Sequence, residues 1–563
     1  MVLAELFFNE ILDELPTEKY FLGLTNRLEV YENSYSNTYK SKIKKIYLKY
    51  QKLYNLEKNK KTIDNLLLKY ELDDFKSLDK FKVIEKLPFS KNNEHNTKLD
   101  LLPITSFHNS ILFFVEFMTV FYKINDTIDI ENLNKIYVQY TKETFDDYTK
   151  LMKIGIENNI VLSKKICKIV IEQIESLIKN KEYIIKVNKK YINNKFYKEY
   201  LNKTIPDYED KLVNFLKFIK KDYLKHCNNK IGYLHLPEGK EIYKTLVNST
   251  LTTNKYTPEY IHNFGINQVN KINKELILIK NKLGHKDKTL IEFNDYMKNS
   301  NEFLYKNSKE LINDYISIKK FINKEVINKK FKNNVKEDYD IKIVPKQFEK
   351  SSALASYFPL TFHTSKNKRK GIFYLNGEVM SDHKKYYTMT LSLHEGSPGH
   401  HFQNAYPMMY KIPLYRNYMG QNTCFTEGWG LYSETLIDYS DKPLQLYGHT
   451  IFKMMRATRL VIDTGINYYG WSYNKSFKYM KKNVPITDND INREIDRYIS
   501  LPTQAISYYM GMQIFLEEFK KYNKKNNQNS TNDNYKNYHH ICLKYGSIPM
   551  KILKDLIRNT NHH

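Results

Sequence analysis

Hydrophobic residues recur at intervals of three and four through much of the first 330 residues. The segment IGIENNIVLSKKICKIVIEQIESLIKN (154–180) places Ile, Leu and Val at this spacing. The segment VNKINKELILIKNKLG (269–284) repeats the pattern and ends on a glycine that suits a helix C-cap. An apolar stripe of this period is typical of an amphipathic helix. The pattern therefore predicts that residues 1–335 form a helical scaffold lobe.

The pattern changes between residues 340 and 390. Short runs rich in β-branched and aromatic residues, broken by Pro, Gly and Asn, read IKIVPKQ, ASYFPLTFHT and GIFYLNGEV. Such runs predict strands, and we expect a small antiparallel sheet next to the helix that follows. The polar stretch KKYNKKNNQNSTNDNYKNYHH (520–540) predicts a surface loop. The expected fold is mainly α and forms a large cleft, with a catalytic region over 336–563 continuous with the scaffold.

The length of 563 residues, with 41% hydrophobic and 27% charged, is enough to bury a large core. No run approaches the eighteen apolar residues of a membrane helix. The start, MVLAELFFNEILDELP, lacks the basic n-region of a signal peptide. The four scattered cysteines form no CxxC pair, which argues against a disulfide framework or a cysteine zinc site. These features predict a cytoplasmic protein that does not bind membranes.

The net charge of +26 suggests an anionic partner such as a nucleic acid. However, only eight of the 89 basic residues are arginines, and Lys, Asn, Ile and Tyr are all abundant. This bias favours solvated lysines, so we expect no nucleic-acid partner. Five of the eight arginines, both tryptophans and nine of the 18 glycines lie between residues 390 and 515. Because Arg, Trp and Gly persist where geometry requires them, the demanding chemistry is expected there.

The strongest local signal is LHEGSPGHHFQ (393–403), which holds three histidines and one glutamate. Neutral imidazoles bind zinc, and a neighbouring carboxylate can take a proton from water that the metal activates. The helical HExxH pattern is not matched, because Pro398 stands four residues after His394. We infer a broken helix that returns either His400 or His401 towards His394. The alternative is that these histidines cap and pack around a Pro-Gly kink.

The second signal is FTEGWGLYSE (425–434), in which Glu427 and Glu434 are seven residues apart and share one helix face. One carboxylate could complete a metal site of three ligands, and the other could orient a ligand histidine from behind. Two solvated glutamates on an amphipathic helix are the alternative. The histidine cluster two dozen residues upstream favours the metal site.

Further candidates lie downstream. In ISLPTQAISYYMG (499–511), Tyr508 or Tyr509 could stabilise the oxyanion that forms when a peptide bond is hydrolysed. Two arginine pairs, each on one helix face, could hold a substrate carboxylate: Arg456 with Arg459, and Arg493 with Arg497. Packing of the tyrosines, and ion pairs of the arginines with Asp463, Glu494 or Asp496, are the alternatives.

Four motifs in this order, HEGSPGHHFQ, FTEGWGLYSE, MMRATRLVIDTGINYYGWS and PTQAISYYMG, resemble the DUF885 family, and LDELPTEKYFLGL resembles its start. The arrangement is more distantly similar to the gluzincin-type oligopeptidases and carboxypeptidases. That resemblance implies a mainly helical zinc hydrolase. It implies His394 as first ligand, Glu395 as the base that activates water, and Glu427 as third ligand, with Glu434 matching a further glutamate seven residues on. The second ligand stays open between His400 and His401.

The sequence therefore predicts a metallopeptidase that holds one Zn²⁺ and cleaves short peptides. A zinc amidase with a non-peptide substrate is one alternative. A catalytically inactive, lysine-rich binding protein with structural histidines is another. The oligomeric state is left open by these patterns.

Overall fold

The computed structural model describes residues 2–84, 95–346, 353–362, 369–419, 422–527 and 530–559. Helices dominate this part of the chain, as the apolar periodicity predicts. In chain order, the α-helices are α1 (Leu3–Asp13), α2 (Pro16–Phe21), α3 (Asn37–Leu56), α4 (Ile63–Asp79), α5 (Ser110–Glu116), α6 (Thr127–Glu157), α7 (Lys164–Asn180), α8 (Lys195–Glu199), α9 (Ile205–Phe218), α10 (Gly239–Leu251), α11 (Pro258–Lys282), α12 (Leu290–Asn299), α13 (Ser308–Ile322), α14 (Asn328–Lys330), α15 (Thr388–Glu395), α16 (His400–Ala405), α17 (Leu414–Met419), α18 (Thr423–Glu434), α19 (Pro443–Asn467), α20 (Tyr473–Asn483), α21 (Asp488–Ser500), α22 (Gln504–Lys525), α23 (Thr531–Leu543) and α24 (Met550–Asn559).

The chain forms two compact units. The first comprises Met1–Thr245, Ile466–Tyr473 and Arg493–Pro502, and the second comprises Leu246–Gly465, Asn474–Asn492 and Thr503–His563. Long helices and stacked aromatic rings build the core of the first unit: α6 packs against α9, and the rings of Phe114 and Tyr140 lie 3.7 Å apart. The second unit contains the motif helices α15, α16, α18 and α22.

The predicted strands are present, but the sheet they form is mixed rather than wholly antiparallel. The strands are β1 (Lys82–Ile84), β2 (His95–Thr97), β3 (Tyr339–Ile343), β4 (Ala355–Phe358) and β5 (Gly371–Leu375). In the second unit, β5 lies between β3 and β4; it pairs parallel with β3 and antiparallel with β4. A parallel pair needs a long connection, and the chain between β3 and β5 provides it.

The sheet positions α15. Phe373 and Leu375 of β5 are fully buried and belong to one apolar cluster with Tyr315 of α13 and Leu391 of α15. Residues 388–394 of α15 are buried around the whole helix, so the periodicity of a surface helix is absent there. The helix that carries the first histidine of the motif is therefore enclosed on all sides.

Two sequence predictions about helices need correction. The segment 154–180 contains two helices, because α6 ends at Glu157 and α7 begins at Lys164. The predicted loop over 520–540 is mostly helical, with α22 continuing to Lys525 and α23 beginning at Thr531. The rings of Phe519 and Tyr535 stack 4.1 Å apart, so tertiary packing stabilises helices that the polar composition disfavours. Residues 528 and 529, and the terminal histidines, lie outside the described residues.

Within the described ranges, no helix is long and apolar enough to cross a membrane.

In the second unit, helices α18 and α22 pack especially closely. A Cβ atom built on Gly428 would lie 2.6 Å from Cα of Gly511, closer than packed carbon atoms approach. Only residues without a side chain allow this approach, which joins the FTEGWGLYSE motif to the Tyr-rich motif.

Candidate metal centre

The HEGSPGHH motif forms the end of one helix and the start of another. Helix α15 ends at Glu395 and α16 begins at His400, with Gly396–Gly399 between them. This is the broken helix that the Pro-Gly sequence predicts. The indole Nε1 of Trp429 on α18 donates a hydrogen bond of 2.8 Å to the carbonyl oxygen of Pro398. Trp429 of the FTEGWGLYSE motif therefore stabilises the helix break in the HEGSPGHH motif.

Two imidazoles and one carboxylate converge at this break. Nε2 of His394 lies 3.4 Å, and Nε2 of His400 3.6 Å, from Oε2 of Glu427. The ligand atoms of these three residues all lie within 4.8 Å of one another. The His394 side chain is 5% exposed and that of Glu427 is 20% exposed. The cluster is thus largely enclosed, yet Glu427 retains a path to solvent.

The other ring nitrogen of His394 faces a buried carboxylate. Nδ1 of His394 lies 2.8 Å from Oε1 of Glu434. Because a carboxylate can only accept, Nδ1 carries the hydrogen of this bond, which leaves Nε2, facing Glu427, as the ring nitrogen that could bind a metal. Such a carboxylate–histidine pair is the usual support behind a metal-ligating imidazole. Glu434 thus stands where the sequence predicts an orienting residue.

Two residues of α19 contact Glu434. Nη2 of Arg456 lies 3.4 Å from Oε1, and Nδ1 of His449 lies 3.4 Å from Oε2. Burial would raise the pKa of Glu434, but Arg456, His394 and His449 together hold that pKa well below its usual range. The carboxylate is therefore ionised in the interior of the protein.

The electrostatics of the ligand set favour a cation. Burial would lower the pKa of His394, but hydrogen bonds to Glu427 and Glu434 raise it to about 10. Burial would raise the pKa of Glu427, yet the two histidines hold it well below its usual range. The carboxylates therefore favour a positive charge beside Glu427, carried by the His394 imidazolium or by a cation bound in place of its proton.

Glu395 follows His394 directly and is half-buried. Burial raises the pKa of its carboxyl group, and the nearby charges of His394 and His400 partly oppose this rise. Its surroundings thus differ from those of Glu427, whose pKa moves in the opposite direction. Two neighbouring carboxyl groups with opposite shifts can take different chemical roles.

His401, the other candidate for the second ligand, makes its contacts outside the cluster. Nε2 of His401 donates to the carbonyl oxygen of Glu337 at 2.9 Å, and Nδ1 lies 3.0 Å from the hydroxyl of Tyr357. Burial lowers the pKa of His401 to about 4. Both nitrogens of His401 are thus engaged by Glu337 and Tyr357, whereas His400 lies with His394 and Glu427.

Glycine at position 430 allows the His394 ring to lie flat against α18. A Cβ atom built on Gly430 would lie 2.7 Å from Cε1 and 2.9 Å from Nε2 of His394. Any side chain there would displace the imidazole. The Gly-Trp-Gly sequence between the two glutamates is therefore part of the site.

The two candidate tyrosines differ in their surroundings. Tyr509 is buried and its hydroxyl donates to Oε1 of Gln268 at 3.0 Å, a contact of the kind that the packing alternative expects. Tyr508 is half-buried, and its hydroxyl accepts a hydrogen bond of 3.3 Å from Gln504. Its ring lies under the guanidinium of Arg459, with Cζ 5.0 Å from the ring centroid. Tyr508 is the better candidate of the two.

The four candidate arginines also differ in their contacts. Nε and Nη1 of Arg456 are sealed from solvent and find no hydrogen-bond partner within the described part of the chain. Its Nη2 faces Glu434, and a role of Arg456 in holding a substrate carboxylate stays a prediction. Arg497 pairs with Glu494 at 2.9 Å, the predicted alternative. Arg493 and Arg497 both belong to a segment of the first unit.

Sequence reasoning missed His449. The signal was present, because His449 and Arg456 are seven residues apart, as Glu427 and Glu434 are. Residues seven apart lie on one face of a helix, two turns from each other. The pair Glu427 and Glu434 could therefore have been matched with the pair His449 and Arg456 on the next long helix. The sequence alone does not say that α19 turns this face towards α18.

The fold and the site define a mainly α-helical protein with an enclosed His-His-Glu cluster next to a small mixed sheet. The chain belongs to the DUF885 family, described as bacterial protein of unknown function, whose pattern matches residues 23–557. Among curated proteins no sequence matches. The family resemblance read from the four motifs is thereby confirmed.

Two solved structures are similar over nearly their full length. One is the crystal structure of a candidate lipoprotein from Colwellia psychrerythraea, with a TM-score of 0.81, 18% identity, and coverage of 99% of this chain and 98% of that one. The other is a candidate lipoprotein of unknown function from Shewanella oneidensis, with a TM-score of 0.68, 14% identity and 99% coverage of both chains. At these identities the likeness establishes the fold alone.

Proposed function

We propose that this protein is a zinc-dependent hydrolase that cleaves peptide bonds in short peptides. The observation that carries the proposal is the convergence of His394, His400 and Glu427. Ligands at roughly 2.0–2.2 Å from a tetrahedral zinc ion are separated by about 3.4 Å along each edge. The two distances from Glu427 to the histidines are 3.4 and 3.6 Å. These two distances and the two-nitrogen, one-oxygen donor set fit zinc.

Charge balance supports a divalent ion. Glu395, Glu427 and Glu434 bring three carboxylates to the cluster, and Arg456 brings one guanidinium. Buried charges without compensation are strongly unfavourable. A divalent cation would neutralise the remaining two negative charges. His394, His400 and Glu427 would hold it, and Glu434 would orient the first of these ligands.

When bound, zinc polarises a substrate carbonyl and makes a water molecule acidic near neutral pH. Glu395 would take the proton of the attacking water and pass it to the amine that leaves. Tyr508, with a half-buried hydroxyl, would donate to the oxygen that gains negative charge. Arg459 holds the ring of Tyr508 from one side and would help to place it.

Metal content is the first test. The purified protein should contain about one zinc per chain by elemental analysis, and it should cleave a panel of short peptides. Treatment with a chelator should abolish cleavage, and added zinc should restore it. A protein without tightly bound divalent metal, or with metal but no hydrolysis of any peptide, would remove the peptidase proposal.

The substrate panel also separates the alternatives. Cleavage of small non-peptide amides in preference to peptides would indicate the zinc amidase. Metal-free protein that still folds would indicate the lysine-rich binding protein. A cytoplasmic location is likewise a proposal. The lipoprotein description of both structural neighbours makes fractionation of the native cells the appropriate measurement.

A further inference from the structure

We propose that Arg456 and His449 are positioning residues for the metal centre, acting through Glu434 on His394. This inference rests on the proposed metal site. Its starting point is the carboxylate of Glu434, whose side chain is 2% exposed. A buried carboxylate needs partners at both oxygens, and those partners fix the plane in which it lies.

The partners surround the carboxylate from three directions. His394 donates to Oε1 from α15, Arg456 approaches the same oxygen, and His449 lies near Oε2. The last two come from one face of α19, whereas Glu434 ends α18. Rotation of the Glu434 carboxylate would break contacts with a second helix. The position of the His394 ring therefore depends on α19, although α19 supplies none of the three proposed metal ligands.

Aromatic rings in turn hold the two positioning residues. The ring of His449 stacks on Tyr439 with centroids 5.1 Å apart and an angle of 13°. The guanidinium of Arg456 lies 4.8 Å from the ring centroid of Phe452. The hydroxyl of Tyr439 also donates to the backbone oxygen of Glu434 at 3.1 Å. The contacts thus extend from the aromatic packing of α19 to Nε2 of His394.

The chemistry of the contact explains why Arg456 suits a positioning role. Nη2 approaches Glu434, while Nε and Nη1 are sealed from solvent. A guanidinium enclosed in this way faces the carboxylate rather than solvent. Its planar, permanently charged guanidinium offers the carboxylate a fixed direction. A residue that orients a supporting carboxylate is expected to change metal affinity rather than substrate selection.

The test measures zinc affinity by competition with a chromophoric chelator, and the visible spectrum of the cobalt-substituted protein. We expect Arg456→Met to bind zinc about 10-fold more weakly, within the range for supporting residues, and to change the cobalt bands. Arg456→Lys keeps the charge and should restore most of the affinity. Arg459→Met is the matched control, since it removes an equally buried guanidinium one turn further along α19; its zinc affinity should equal that of the parent.

Each outcome is informative. Parent-like affinity and spectrum in Arg456→Met, or the same loss in Arg459→Met, overturns the inference. If Arg456→Met does not fold, His449→Phe decides, because it keeps the stacking on Tyr439 but loses the contact to Glu434. Parent-like zinc affinity and an unchanged cobalt spectrum in His449→Phe then overturn it. Failure of the parent protein to bind any divalent metal instead refutes the proposed function, so the two failures are distinguishable.

Discussion

Nδ1 of His394 lies 2.8 Å from Oε1 of Glu434, across forty residues of chain. This contact joins the two motifs that carry the candidate chemistry. It turns Nε2 of His394 towards His400 and Glu427. The predictions below follow from this arrangement and from the packing around it.

Glu395→Gln should retain zinc and lose at least about 100-fold in turnover, because an amide cannot accept the proton of the attacking water. Elemental analysis and steady-state kinetics measure the two effects. Glu378→Gln is the control on an exposed glutamate outside the cluster, and it should leave both unchanged. Parent-like turnover in Glu395→Gln would exclude Glu395 from proton transfer.

His400→Gln and His401→Gln form a second test, since these neighbours are distinguished by the structure alone. His400→Gln should lose stoichiometric zinc, because Nε2 of His400 faces Glu427. His401→Gln should keep it and instead lower the melting temperature, because both nitrogens of His401 are held by Glu337 and Tyr357. The opposite result for metal content would reverse the assignment of the second ligand.

Gly430→Ala and Gly428→Ala should separate metal binding from stability. Alanine at 430 displaces the His394 ring, so zinc affinity should fall while the melting temperature changes little. Alanine at 428 meets the backbone of Gly511 at 2.6 Å, and overpacking of this kind destabilises by about 1–3 kcal/mol. Zinc titration and thermal unfolding of both variants provide the measurement. Equal losses of stability in the two would contradict the role given to Gly430.

The stability of the protein should fall as the pH is lowered from about 6.5, partly because of His539. Its Nδ1 donates to the carbonyl oxygen of Lys330 at 2.8 Å, and Nε2 lies 2.9 Å from the Tyr432 hydroxyl. Burial lowers the pKa of His539 to about 3. Below its ordinary pKa of about 6.5 the unfolded chain takes up a proton that the folded chain does not, so stability falls by up to roughly 1.4 kcal/mol per pH unit.

That loss ends near pH 3, where the folded protein also binds the proton. His539→Gln should lower the melting temperature at pH 7, because two hydrogen bonds are disturbed. It should also reduce the dependence of the melting temperature on pH between 6.5 and 4. An identical pH dependence in parent and variant would show that His539 is not responsible.

Much of the helical fold follows from local pattern, but its exceptions have identifiable causes. Gly284 has a φ of 90°, the left-handed conformation expected of a C-cap glycine. The mixed sheet was not predictable, because β-strand composition does not record the direction of the neighbouring strand. The helices over 520–540 were missed because their stability comes from ring packing such as that of Phe519 on Tyr535.

The sequence by itself determined which residue types meet at the candidate site. It also determined that Glu427 and Glu434 share a face, because helical periodicity fixes angles within one unbroken helix. Only the tertiary structure placed His400 rather than His401 beside Glu427 and brought Arg456 and His449 to Glu434. The physical reason is that Gly396–Gly399 interrupts the helix, so the direction of the following side chains is set by the packing of distant elements rather than by the helical repeat.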